Sequence, residues 1–211
     1  MAFCSGPAAG PATKFFEERF QNASPLARVG LIETLAQAEN EHGAARSLFE
    51  KAQSDGDPKV RFHAARANCY LSPIAVGTNG ASQARQNAIP VFVELLNDPQ
   101  LAVDAARELG RIGSDANPAI SPLKRLIQSA PSDAQVYFAI ALWNIEKDTQ
   151  IILPVLLEAV GSEDDLVRAS VAQVLCEIAP ESKGAADALF GLYDDPSFAV
   201  RWHAKQCSKG R

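Results

Sequence analysis

The sequence predicts an all-α array of helical hairpins, and three observations predict it. Residues recur in register every 33 positions, the recurring segments carry apolar residues at helical spacing, and Asp-Pro pairs punctuate them. Ile112, Ile145 and Ile178 form one column; Leu109, Leu142 and Leu175 a second; Ala106, Ala139 and Ala172 a third; Leu101, Ala134, Val167 and Val200 a fourth. A fixed period of this length is the mark of a stacked repeat array, in which each unit buries its apolar face on its neighbours.

The units follow in order. A weak copy lies at Ser24 to Gln37. "DPKVRFHAARANCYL", Asp57 to Leu71, matches Asp98 to Ile112, 41 residues later. The extra eight residues fall in Ser72–Asn87, whose Pro, Gly, Asn and Ser content reads as an insertion loop, 72–87. Each unit reads as two helices. The second, B, carries apolar positions such as Leu101, Ala105, Leu109 and Ile112. The first, A, is shorter: "IPVFVELL" from Ile89, "SPLKRLIQ" from Ser121, "ILPVLLEAV" from Ile152 and "ADALFGLY" from Ala186. Asp57-Pro58, Asp98-Pro99 and Asp195-Pro196 lie between A and B. The carboxylate suits a helix cap, and proline suits a first turn, where its missing N–H costs nothing. Residues 1–13 read as a flexible N-terminus and 14–211 as the array.

Small residues recur where B helices must meet. Ala65, Ala106, Ala139 and Ala172 let backbones approach. Gly110 shares a column with Cys69, Trp143 and Cys176, and its missing side chain is expected to make room for Trp143. Trp202 shares one with Phe62, Val103, Val136 and Ala169. In the last unit Lys205 and Ser208 replace core residues, as expected of a terminal repeat with a polar outer face.

"DPKVRFHAA", "AARELGRIG", "DDLVRASVAQVLCEIA" and "DPSFAVRWHA" resemble HEAT repeats, in the short form also called PBS-lyase HEAT-like. The likeness runs from Ala44 to the C-terminus. The family's arginine stands at Arg61, Arg168 and Arg201, but the corresponding positions are Ala102 and Gln135 in the other copies, and "APSDAQVY" lacks Asp-Pro. The resemblance implies a right-handed α-solenoid of about five to six helix pairs, with B helices lining its concave side, and a role as a binding scaffold.

Once the core columns are removed, each B helix keeps a stripe at i, i+3 and i+7, one face of a helix. It reads His63, Arg66, Tyr70; Asp104, Arg107, Arg111; Tyr137, Ile140, Asn144; Ser170, Gln173, Glu177; His203, Gln206. His63, Arg66, Tyr70, Asp104, Arg107, Arg111, Tyr137, Asn144, Gln173 and Glu177 are the expected partner-binding groove. Its arginines and tyrosines are side chains favoured at interface anchor points, and they suit an acidic or mixed peptide.

The remaining chemistry points away from catalysis. His63 and His203 are four repeats apart, too far to share a metal at about 10 Å per packed helix. His42 reads as a helix end. No C-x-x-C pair or phosphate-binding glycine loop is present. Cys69, Cys176 and Cys207 read as buried thiols, which suits a reducing compartment; a Cys176–Cys207 bridge is the one pairing within reach. Net charge is −5 among 211 residues, with 47% hydrophobic and 21% charged residues, which argues against a nucleic-acid binder. No run of about 18 apolar residues spans a membrane. A cytoplasmic, monomeric, non-catalytic protein-binding scaffold without cofactor or metal is therefore expected. A bilin-handling protein, with Arg107 and Arg111 meeting propionates, and a nucleic-acid-binding solenoid are the competing readings. The "CSG" at Cys4 leaves a periplasmic or lipid-anchored protein as the alternative location.

Overall fold

The computed structural model describes residues 15, 17–37, 43–70 and 73–207. The expectations for residues 1–13, Cys4, His42 and Ser208 lie outside them. The described residues are helical, with no strand among them. After helical residues 17–21 come α1 (Pro25–Gln37), α2 (Gly43–Ala52), α3 (Pro58–Cys69), α4 (Pro73–Leu95), α5 (Ala102–Ile112), α6 (Ile120–Ser129), α7 (Ser132–Glu146), α8 (Thr149–Ala159), α9 (Asp165–Ile178), α10 (Lys183–Gly191) and α11 (Phe198–Gln206). Short 3-10 segments, Gly113–Ala119 and Leu192–Asp194, precede α6 and α11. The chain divides into two compact units, 1–105 and 106–211, and the division falls within α5.

Both units are built from the A–B helix pairs expected from the period. In the first, α2 packs on α3, and α3 packs on its B neighbour α1 and on α4. In the second, α6 packs on α7, α7 on α8, α9 on α10, and α9 on its B neighbour α11. Ala65, Ala106, Ala139 and Ala172 are fully buried, as are Leu109, Leu142 and Leu175. The same leucine column contains Asn68 in α3, also fully buried, and neither of its amide atoms has a hydrogen-bond partner.

Three B helices start on the aspartate the sequence marks. Asp57 accepts from the N–H groups of Lys59 and Val60, Asp98 from Gln100 and Leu101, and Asp164 from Leu166. The third Asp-Pro pair is out of register. Residues 57, 98 and 164 correspond to Ser197, which stands at the N-cap of α11; Asp195 corresponds to Asp55. Asp55 and Asp195 accept from the backbone N–H two residues on, at Asp57 and Ser197. They therefore shape the turn before the cap.

The arginine column has a defined task. Nη1 of Arg61 donates to the carbonyls of Asp55 and Gly56 (2.9 and 3.2 Å), and Nη1 of Arg168 to those of Ser162 and Glu163 (2.7 and 3.1 Å). Arg201 treats Asp195 and Pro196 the same way. Each arginine thus ties the turn five and six residues before it to its own B helix. Arg28 stands 33 residues before Arg61, so α1 is a B helix of the same series, and Arg28 pairs with the Asp55 carboxylate.

Four expectations change. The segment expected to be an insertion loop, 72–87, is helical from Pro73 and forms the first half of α4. Ala81, Ala84 and Ala88 are buried at i, i+3 and i+7, so the segment has a core face after all. That burial, with good helix formers such as Gln83, Arg85 and Gln86, outweighs Gly77 and Gly80, which cost about 1 kcal/mol each. Gly110 makes room for α7 itself: a Cβ there would lie 3.0 Å from the Ala141 Cα, and Trp143 is not the neighbour it accommodates.

Cys176 and Cys207 form a disulfide between α9 and the end of α11, with Cα atoms 5.5 Å apart. They sit in different columns, but the α9–α11 packing brings those columns together. Only Cys69 remains a buried thiol among the described residues, which weakens the case for a reducing compartment. Finally, Lys205 is exposed as expected, but so are Phe198 and Trp202, one turn apart on α11, so the last described helix is only partly polar.

Candidate functional site

Three successive B helices place the same register positions around one cleft. α5 contributes Arg107, Gly110 and Arg111; α7 contributes Tyr137, Ile140, Ala141 and Asn144; α9 contributes Ser170, Gln173, Val174 and Glu177. The cleft encloses about 330 Å³ and lies wholly in the second unit. Six of the ten expected groove residues, Arg107, Arg111, Tyr137, Asn144, Gln173 and Glu177, meet here. Gly110, Ala141 and Val174 form its buried floor. Their smallness, read from the sequence as a packing device, also sets the depth of the cleft.

The α5 wall is cationic and ordered. The Arg107 guanidinium lies 4.4 Å from the centroid of the Tyr137 ring, a cation–π arrangement that holds the side chain across the α5–α7 seam. Arg111 Nη1 is 3.6 Å from Oε1 of Glu108, a carboxylate buried beneath it.

The α9 wall carries a second cluster. Trp143 Nε1 donates to Oε2 of Glu177 at 2.9 Å, Lys147 Nζ donates to the same oxygen at 2.8 Å, and Nζ lies 4.4 Å from the Trp143 ring centroid. Burial would raise the Glu177 carboxyl, but the bonds from Lys147 and Trp143, with the lysine's charge, outweigh it and hold the group below the usual carboxylate range. Lys147 ends α7 in the left-handed conformation, φ 59°, which turns the chain directly after Glu146.

His63, Arg66 and Tyr70 line a separate cleft of about 310 Å³ in the first unit, against Ile32, Glu33, Ala36 and Gln37 of α1. His63 Nδ1 is 3.1 Å from Glu33 Oε1. Burial lowers the His63 pKa most and Arg66 lowers it further; Glu33 and Asp104 oppose them without reversing the direction. Asp104, the tenth expected residue, lines neither cleft and acts here only through its charge on His63. A larger cleft of about 680 Å³, lined by Phe15, Arg19, Leu31 and neighbours, lies between helical residues 17–21 and α1 and contains none of the ten.

Three side chains were missed. A step of 33 residues back from Arg66 and Tyr70 lands on Glu33 and Gln37, so the period itself carries them once α1 is counted as a B helix. Lys147 lies beyond the regular stripe at the end of α7, and no column points to it.

Comparison with known proteins follows the same lines. The family model for the HEAT repeat matches residues 152–182, which span most of α8, all of α9 and the turn after it. No curated protein matches the chain. Among solved structures, the crystal structure of an engineered protein is similar over 99% of this chain and 93% of its own, with a TM-score of 0.56 and 22% identity, a likeness of fold. One helix pair matches the family's own model and its neighbours repeat that pair's pattern at 33-residue spacing: the chain belongs to the HEAT-repeat proteins.

Proposed function

We propose that the chain is a non-catalytic protein-binding scaffold and that its partner is held in the α5–α7–α9 cleft. One observation carries this reading: the polar and aromatic stripe positions of three successive repeats, set apart from the core by their register alone, line a single ligand-sized cavity. HEAT repeats serve mostly as interaction scaffolds, and the cleft is walled by arginine and tyrosine, the side chains enriched at interface anchor points. As to compartment, the Cys176–Cys207 bond favours an oxidising space over the cytoplasm.

The test is affinity capture from native lysate with mass-spectrometric identification, comparing the native chain with the Arg107→Glu/Arg111→Glu variant. Both positions are exposed, so the melting temperature should be unchanged while the specific partner is lost. An identical set of captured proteins from the two chains would contradict the assignment.

A further inference from the structure

We infer that the α5–α7–α9 cleft takes an extended peptide segment whose acidic residues lie on α5 and whose next apolar side chain, an aliphatic one, sits against Ile140 over the Gly110–Ala141–Val174 floor. This inference rests on the scaffold reading above and goes beyond it by naming the occupant's chemistry and order.

Charge comes first. The cations at the cleft are Arg107, Arg111 and Lys147, and the anions are Glu108 and Glu177. Lys147 is committed to Glu177, and Glu108 lies beneath Arg111, so one positive charge remains in excess and it stands on the α5 wall. The stacking of Arg107 on Tyr137 engages the face of the guanidinium, whereas carboxylates bind its N–H edge. The stack therefore fixes the plane of a fork that a carboxylate can grip, and the entropy of ordering that side chain is already spent before a partner arrives.

Shape comes second. A cavity of about 330 Å³ takes a few side chains, and it does not admit a helix of about 10 Å diameter. Packed helices are about 10 Å apart, so from α5 to α9 is about 20 Å, a span of about six residues of extended chain. Over that span the lining changes from cationic at Arg107 and Arg111, to apolar at Ile140, Ala141 and Val174, to the compensated Glu177–Lys147–Trp143 cluster. The fitting segment is ordered in the same way: acidic, then aliphatic, then polar.

The experiment selects a random heptapeptide display library on the full chain, then measures the enriched peptides by fluorescence anisotropy on three proteins: the native chain, Arg107→Glu/Arg111→Glu and Ile140→Arg. Thermal melts check that both variants fold; if Ile140→Arg does not, Gln173→Trp replaces it as the blocking variant. The expected result is an acidic–aliphatic consensus. Its affinity should fall at least tenfold in both variants, and in the charge-reversed chain it should be regained by peptides with lysine in place of the acidic residues. A neutral or basic consensus blocked by Ile140→Arg would overturn the acidic occupant while leaving the scaffold reading in place. Enrichment indifferent to both variants, or none, would overturn the occupant and the scaffold reading together. A labelled oligothymidylate that binds in place of the peptides and is lost in Arg107→Glu/Arg111→Glu would also overturn the peptide assignment, in favour of a nucleic acid.

Discussion

Arg168 of α9 meets Asp195, in the turn before α11, through two parallel bonds, Nε to Oδ2 at 2.8 Å and Nη2 to Oδ1 at 3.1 Å, while its Nη1 holds the turn of its own repeat. One side chain therefore ties two successive repeats, and Arg28 with Asp55 makes the corresponding tie at the start of the chain, with the same separation of 27 residues. Bidentate pairs of this kind add geometric specificity to charge.

Asp195→Ala should destabilise the second unit by about 3 kcal/mol, the cost of leaving a buried arginine without its carboxylate. The same residue gives a pH dependence. The Arg168 guanidinium, helped by the Ser197 N–H, holds the Asp195 carboxyl below its ordinary value against the opposing effect of burial. A carboxyl whose pKa is lower in the folded state stabilises fully above its unfolded value, about 4, and that contribution is lost as pH falls through the folded one. Glu177 shifts in the same direction. Urea titrations from pH 7 down to pH 3 should show stability falling below about pH 4. The fall should be shallower in Asp195→Asn; equal slopes would contradict the assigned pairing.

The disulfide should matter to the last repeat. It closes a separation of 31 residues, for which loop entropy gives about 3–4 kcal/mol. Dithiothreitol should lower the melting temperature of the native chain and leave that of Cys176→Ser/Cys207→Ser unmoved. A native melt indifferent to reductant would show that the bond does not support α11.

Asn68 should be replaceable at a profit in stability. It occupies the column of Leu109, Leu142 and Leu175, fully buried, with neither amide atom bonded. An unsatisfied buried amide costs about 1–3 kcal/mol. Asn68→Leu should recover a gain of that order in chemical denaturation; a loss would mean that the amide makes an interaction the leucine cannot.

Gly110→Leu should destabilise by about 1–3 kcal/mol through overpacking, because the atom it meets first is the Ala141 Cα, which belongs to the α7 backbone and cannot rotate away. It should also fill the floor of the cleft, so peptide affinity should fall with stability. An unchanged melt would contradict the close α5–α7 approach.

Much of this was legible in the chain itself. The period placed the B helices, and removing the core columns from them left the residues that now line the α5–α7–α9 cleft. What escaped had local causes. The 72–87 segment looked like a loop because Gly77, Gly80 and Asn79 hide an alanine face whose value appears only on packing. Asp195 looked like a cap because Asp-Pro is a cap signal, and two residues of drift in register changed its role. The Cys176–Cys207 bond joins different columns, so column reading could not favour it over two buried thiols. Arg28 was one period before Arg61 all along, in a copy whose other positions had drifted.

The central claim is that the inward stripe of α5, α7 and α9 is the working surface. The most direct measurement is site-specific photocrosslinking in cells, with a benzophenone amino acid at Gln173 or Asn144 in the cleft and, in parallel, at Arg125 or Gln128 on the exposed side of α6. The account predicts a discrete protein adduct from the cleft positions that disappears in Arg107→Glu/Arg111→Glu. Adducts formed from α6 alone would contradict it.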